Sequence, residues 1–73
     1  MVIFTDHALL KLKQRKIRKE FVMKALTFPD STEISYGNRH IVFKKFSKLF
    51  LKVIFKKQAK NIIVIIQYFV KKI

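Results

Sequence analysis

The sequence predicts an α+β fold in which two N-terminal helices pack on one face of a four-stranded antiparallel sheet, in the order ααββββ. Three observations carry this. Apolar residues recur every three or four positions up to Pro29 and every second position after it. Phe28-Pro29-Asp30 sits at the change, where the residue before proline is pushed out of helical geometry. Tyr36-Gly37-Asn38 then supplies a Gly-Asn turn between two alternating stretches. With 73 residues there is room for one core, so a single domain over residues 1–73 is expected.

The first helix is expected from Thr5, as its N-cap, to Arg15. Asp6 lies in the first turn, where the helix dipole favours negative charge, and Phe4 stands where a hydrophobic staple would. Ala8, Leu9 and Leu12 form an apolar stripe, and His7, Lys11 and Arg15, four apart, form a polar one. After a break near Lys16-Ile17 a second amphipathic helix is expected over residues 19–27, with Val22, Ala25 and Leu26 inward.

Strands are expected at 32–36, 39–46, 49–57 and 62–71. In the third, Leu49, Leu51, Val53 and Phe55 share one uninterrupted apolar face, while Phe50, Lys52, Ile54 and Lys56 alternate apolar and basic on the other. The second strand divides into Ile41 and Phe43 against His40, Val42, Lys44 and Phe46. An odd-length loop after Phe46 would bring the two mixed sets together on an open face. A strict two-residue turn at Ser47-Lys48 would separate them, and the first register is the expectation. The last strand is apolar on both faces, as a central strand would be.

Composition narrows the function. Half of the chain (51%) is hydrophobic, with eight Phe, too much for a disordered basic tail. No cysteine is present, which excludes disulfides and thiolate zinc sites. The start Met1-Val2-Ile3-Phe4-Thr5-Asp6 lacks the flank and apolar core of a signal peptide, so a mature start and a cytoplasmic location are expected. The longest apolar block, residues 62–66, is far below the roughly twenty needed for a membrane helix, so no membrane partner is expected. Net charge is +13. Residues 31–73 hold Arg39 and nine Lys against Glu33, for +9, and residues 1–30 contribute +4. A polyanion relieves such self-repulsion, so RNA or DNA is the expected partner, against the alternative of a merely solubilising surface.

On the expected open face, His40, Lys44, Lys52 and Lys56 are nucleic-acid-binding candidates, interleaved with Val42, Phe46, Phe50 and Ile54 for base stacking, and Arg39 is a further candidate at the start of the second strand. The same face would equally serve as an ordinary hydrated sheet surface, a dimer contact or a protein interface. Two histidines without a carboxylate pair predict no metal site, and a lone glycine, Gly37, predicts no phosphate loop and no cofactor.

His7-Ala8, Lys11, Arg15, Ile17, Val22, Leu26 and Pro29, with Tyr68 on the last strand, resemble a family of small bacterial and archaeal domains of unassigned function. That family is related to the RelE/ParE toxin superfamily. Its members begin His-Ala-x-x-Arg-x-x-x-Arg-x-Ile and end on a strand with Thr-x-Tyr-Arg, and the likeness runs over residues 4–72. It implies a RelE-like fold and a toxin-like RNA-binding protein of a toxin-antitoxin system. It also implies a metal-independent mRNA endoribonuclease with His7, Lys11, Arg15 and Tyr68 as catalytic candidates beside Lys52. Lys11 replaces the first motif arginine, and Phe69 stands where an arginine would clamp phosphate, so a non-catalytic binding module is the alternative. An interaction domain that pairs with an acidic antitoxin-like chain is another, and a monomer or weak homodimer is expected. His7 also has a structural reading, as a cap or sheet-edge residue, and His40 as a surface strand residue.

Overall fold

The computed structural model describes residues 1–72. The elements in chain order are β1 (Val2–Phe4), α1 (Asp6–Arg15), α2 (Lys19–Thr27), β2 (Ser31–Ser35), β3 (Arg39–Phe46), β4 (Leu49–Gln58) and β5 (Asn61–Val70). Local signals placed the helices. Thr5 caps α1 by accepting a hydrogen bond from the Ala8 amide at 3.1 Å, and Lys16 closes it in the left-handed region at φ 54°. The α2 helix stops at Phe28, ahead of Pro29.

The sheet departs from expectation in its strand count and direction: it has five strands and is mixed. Its order is β1-β5-β4-β3-β2, and β1 runs parallel to β5, with Val2, Ile3 and Phe4 opposite Ile62, Ile63 and Val64. Phe4, expected as a staple for α1, ends a strand and packs against the core. The physical reason lies in β5, which is apolar on both faces and needs a hydrogen-bonding neighbour on each edge. The flanking amides support this pairing, Ile62 N–H donating to the Met1 carbonyl at 2.9 Å and Thr5 N–H to the Val64 carbonyl at 3.1 Å.

Both helices cover one face of the sheet, α1 over β5 and α2 over β3 and β4. The core between them contains Ala8, Leu12, Val22, Ala25, Val42, Leu51, Val53 and Val64, with Ile17 sealing the link between the helices. Val22, Leu51, Val53 and Val64 are wholly buried, and each contributes about 1.5–3 kcal/mol. Leu9 and Leu49, expected inside, are exposed. Leu9 lies off the buried Ala8–Leu12 line, and Leu49 stands opposite Phe46 at the hairpin end.

Candidate nucleic-acid interface

The open face follows from the register. Residues directly opposite in neighbouring strands share a face. The last β3–β4 pair is Phe46 with Leu49, so Ser47-Lys48 is a strict two-residue turn, with Ser47 at φ 62°. His40, Val42, Lys44 and Phe46 therefore lie opposite Phe55, Val53, Leu51 and Leu49, on the helix side.

The expected open face is thereby corrected: His40 and Lys44, and with them Val42 and Phe46, belong to the other side. His40 stacks on Phe55, centroids 5.3 Å apart, and Phe46 on Phe21 of α2, at 4.8 Å. The Lys44 ammonium lies 3.7 Å from Asp30. Sequence periodicity missed this because Ile41, Val42 and Phe43 are all buried, so the strand has no polar face to announce its register.

Four cross-strand rows make up the open face. Lys45 faces Phe50, which faces Val70; Phe43 faces Lys52, which faces Tyr68. Next come Ile41, Ile54 and Ile66, and then Arg39, Lys56 and Ile63. Lys52 and Lys56 stand where the sequence placed them, Arg39 joins them, and Lys45, absent from the expected set, takes the place of Lys44.

The second row holds the closest approach of candidate residues. The Lys52 ammonium is 5.5 Å from the Tyr68 ring centre and 5.8 Å from that of Phe43, and the Arg15 guanidinium is 5.9 Å from Tyr68. Arg15 arrives from the helix side around the sheet edge. Strand β1 ends opposite Val64, and beyond it α1 itself lies along β5. Thr5 Oγ1 donates to the Ile65 carbonyl at 3.2 Å and Gln67 Nε2 donates to the Ala8 carbonyl at 2.9 Å. The β4–β5 register shifts between Ile54 and Phe55, leaving Ile65 as the extra residue of a bulge at that docking point.

Arg15, Tyr68 and Lys52 thus come together from α1, β5 and β4, and sequence reading had named all three. His7 is not among them: it is exposed in the first turn of α1, eight residues and about 12 Å of helix rise from Arg15. Lys11 lies one turn from each. Phe69, where the resemblance would put an arginine, packs against the core on the helix side.

Electrostatically the open face is dominated by cations, with one carboxylate, Glu33, opposite Ile41 on the edge strand. Among the described residues the one ion pair is Lys44–Asp30, on the opposite side. Arg39 and Lys56 stand directly opposite each other, a like-charge pairing that costs stability until an anion intervenes. The aromatic floor is less available than the sequence suggested. Phe43 is only 4% exposed, leaving half-buried Phe50 and Tyr68 as stacking surfaces. Among the described residues no group of three or more His, Asp or Glu gathers where it could hold a metal, and no helix is long and apolar enough to cross a membrane. No protein-family model matches the chain, and comparisons with curated proteins and with solved structures find no match.

Proposed function

We propose that this chain is a RelE-type, toxin-like domain that binds single-stranded RNA across the open face of its sheet, chiefly through phosphates. The observation that carries the reading is the row Phe43–Lys52–Tyr68–Arg15, two cations interleaved with two aromatic rings and no carboxylate among them. Guanidinium and ammonium groups neutralise phosphate, while half-buried Tyr68 offers a ring edge or hydroxyl to a ribose or base. The Arg39–Lys56 pair extends the track along the strands by about 13 Å from Lys52, at about 3.3 Å per residue.

Binding is favoured over cleavage as the primary role. A general base must lie within about 3 Å of the proton it removes, and the His7 imidazole belongs to the far end of α1. Ribonuclease activity would then have to use Tyr68, flanked by Arg15 and Lys52, without a histidine at the same phosphate.

The test is fluorescence anisotropy with a labelled single-stranded RNA, run beside a transcript-cleavage assay. Lys52→Glu and Tyr68→Ala are expected to weaken binding at least tenfold, by about 1.4 kcal/mol or more, with circular dichroism unchanged. Undetectable RNA binding by the wild-type chain would overturn the reading. Cleavage that survives His7→Ala and is lost in Tyr68→Phe would add the endoribonuclease role. Co-purification of a small acidic chain that blocks RNA would identify an antitoxin-like partner for the same face.

A further inference from the structure

The reverse side of the sheet carries a second site, independent of the RNA reading. Helix α2 ends at Thr27 and the chain turns away at Pro29, so the sheet end beyond it is uncovered by either helix. A cleft of about 520 Å³ opens there, within the size range of small-molecule sites. Its wall is Leu26 and Pro29, and its floor includes Val42, Phe55 and Ile62. The half-buried His40 ring lies nearly parallel to Phe55, with 15° between the planes, so the two rings widen the flat apolar floor. Ile34, 78% exposed, forms the outer lip on β2.

Lys57 is the one Lys or Arg in this lining. It stands opposite Ile62, on the helix-side face by register, at the mouth of an apolar floor. Glu33 also reaches the cleft, yet it stands opposite Ile41, so its side chain belongs to the far side of the edge strand. An apolar hollow with a single ammonium at its rim, in a chain of net charge +13, suits a body of rings or methylenes bearing one anionic group.

We propose that this cleft binds a small amphipathic anion, its apolar body over His40, Phe55 and Ile62 and its carboxylate or phosphate head on Lys57. The probe is 8-anilinonaphthalene-1-sulfonate, compared with N-phenyl-1-naphthylamine, the same ring system without the charge. One-to-one saturation is expected with a dissociation constant on the order of tens of micromolar, from about 0.3 kcal/mol per heavy atom. Lys57→Glu should weaken it about five- to tenfold, and Ile34→Arg, a change at an exposed position, should abolish it. Amide shifts on titration should centre on His40, Phe55 and Ile62 and persist when RNA is added. Decanoate and decyl phosphate should both displace the probe, the stronger competitor identifying the head group.

Equal binding of the charged and neutral probes, or of wild type and both variants, would overturn the proposal. So would displacement by RNA, shifts that map to the open face, or loss of binding in step with formation of a dimer at high protein concentration. Because the two sites lie on opposite faces, failure here leaves RNA binding untouched, and loss of RNA binding leaves the probe titration intact.

Discussion

Two adjacent lysines separate the observed register from the one the sequence suggested. Lys45 lies on the open face opposite Phe50, and Lys44 on the helix side opposite Leu51 and beside Asp30. The substitutions Lys44→Gln and Lys45→Gln remove the same charge at neighbouring positions, so a difference between them reports the face together with the Asp30 pairing of Lys44. Five cations border the open face: Arg15, Arg39, Lys45, Lys52 and Lys56. If each contacts one phosphate of a single strand, the logarithm of affinity should fall with the logarithm of salt at a slope of about −3.5, from about 0.7 per contact. Between about 50 and 200 mM salt this amounts to roughly a hundredfold loss of affinity. Lys45→Gln should shallow the slope by about 0.7, to about −2.8, and Lys44→Gln should leave it unchanged. The assay is anisotropy of a labelled single-stranded oligonucleotide of about 12 nucleotides over a salt series. Equal slopes for the two variants, or a wild-type slope shallower than about −1, would refute the assignment of this face to phosphate binding.

Three further outcomes concern stability. Gln67 is wholly buried; its Nε2 bonds the Ala8 carbonyl, and its Oε1 has no protein partner. Gln67→Met gives up a bond of about 1 kcal/mol but removes an unsatisfied acceptor that costs about 1–3. It should therefore raise stability by about 1 kcal/mol in chemical denaturation, and a loss of that size would count against the account. Thr5→Ala loses both the cap to the Ala8 amide and the bond to the Ile65 carbonyl. A decrease of about 2 kcal/mol is expected, read as a fall in Tm of roughly 10 °C. Asp30→Ala removes the acceptor for the Lys45 amide at 2.7 Å; because the aspartate is half exposed, about 1 kcal/mol is expected, measured by urea titration with RNA affinity unchanged.

How much of this was legible beforehand depends on the range of each signal. Thr5, Asp6, the four-residue spacing of His7, Lys11 and Arg15, and Pro29 are local features, and both helices fall where those features place them. The first hairpin was local too, although its loop takes three residues, Tyr36–Asn38, and not the two expected; Gly37 at φ 66° and Asn38 at φ 59° occupy the left-handed region those residues tolerate. Tyr68, Arg15 and Lys52 were identifiable one by one, the first two through the motif and the third through strand alternation. Their meeting was not, because it joins residues between 16 and 53 positions apart.

Amino-acid order by itself therefore determined both helices and the four longer strands, most of their limits, many of the apolar core positions and the cationic surplus, because caps, turns and periodicity act over a few residues. Tertiary structure decided the rest. A three-residue stretch such as Val2–Phe4 has no period of its own and becomes a strand only when β5 offers a free edge. The face that each β3 side chain occupies hangs on whether one hairpin loop is odd or even, and Ile41, Val42 and Phe43 are apolar either way. Only when the two-residue turn closes and Lys44 swings beneath the sheet do Lys45, Lys52, Tyr68 and Arg15 gather on one surface and His40 become the floor of a cleft on the other.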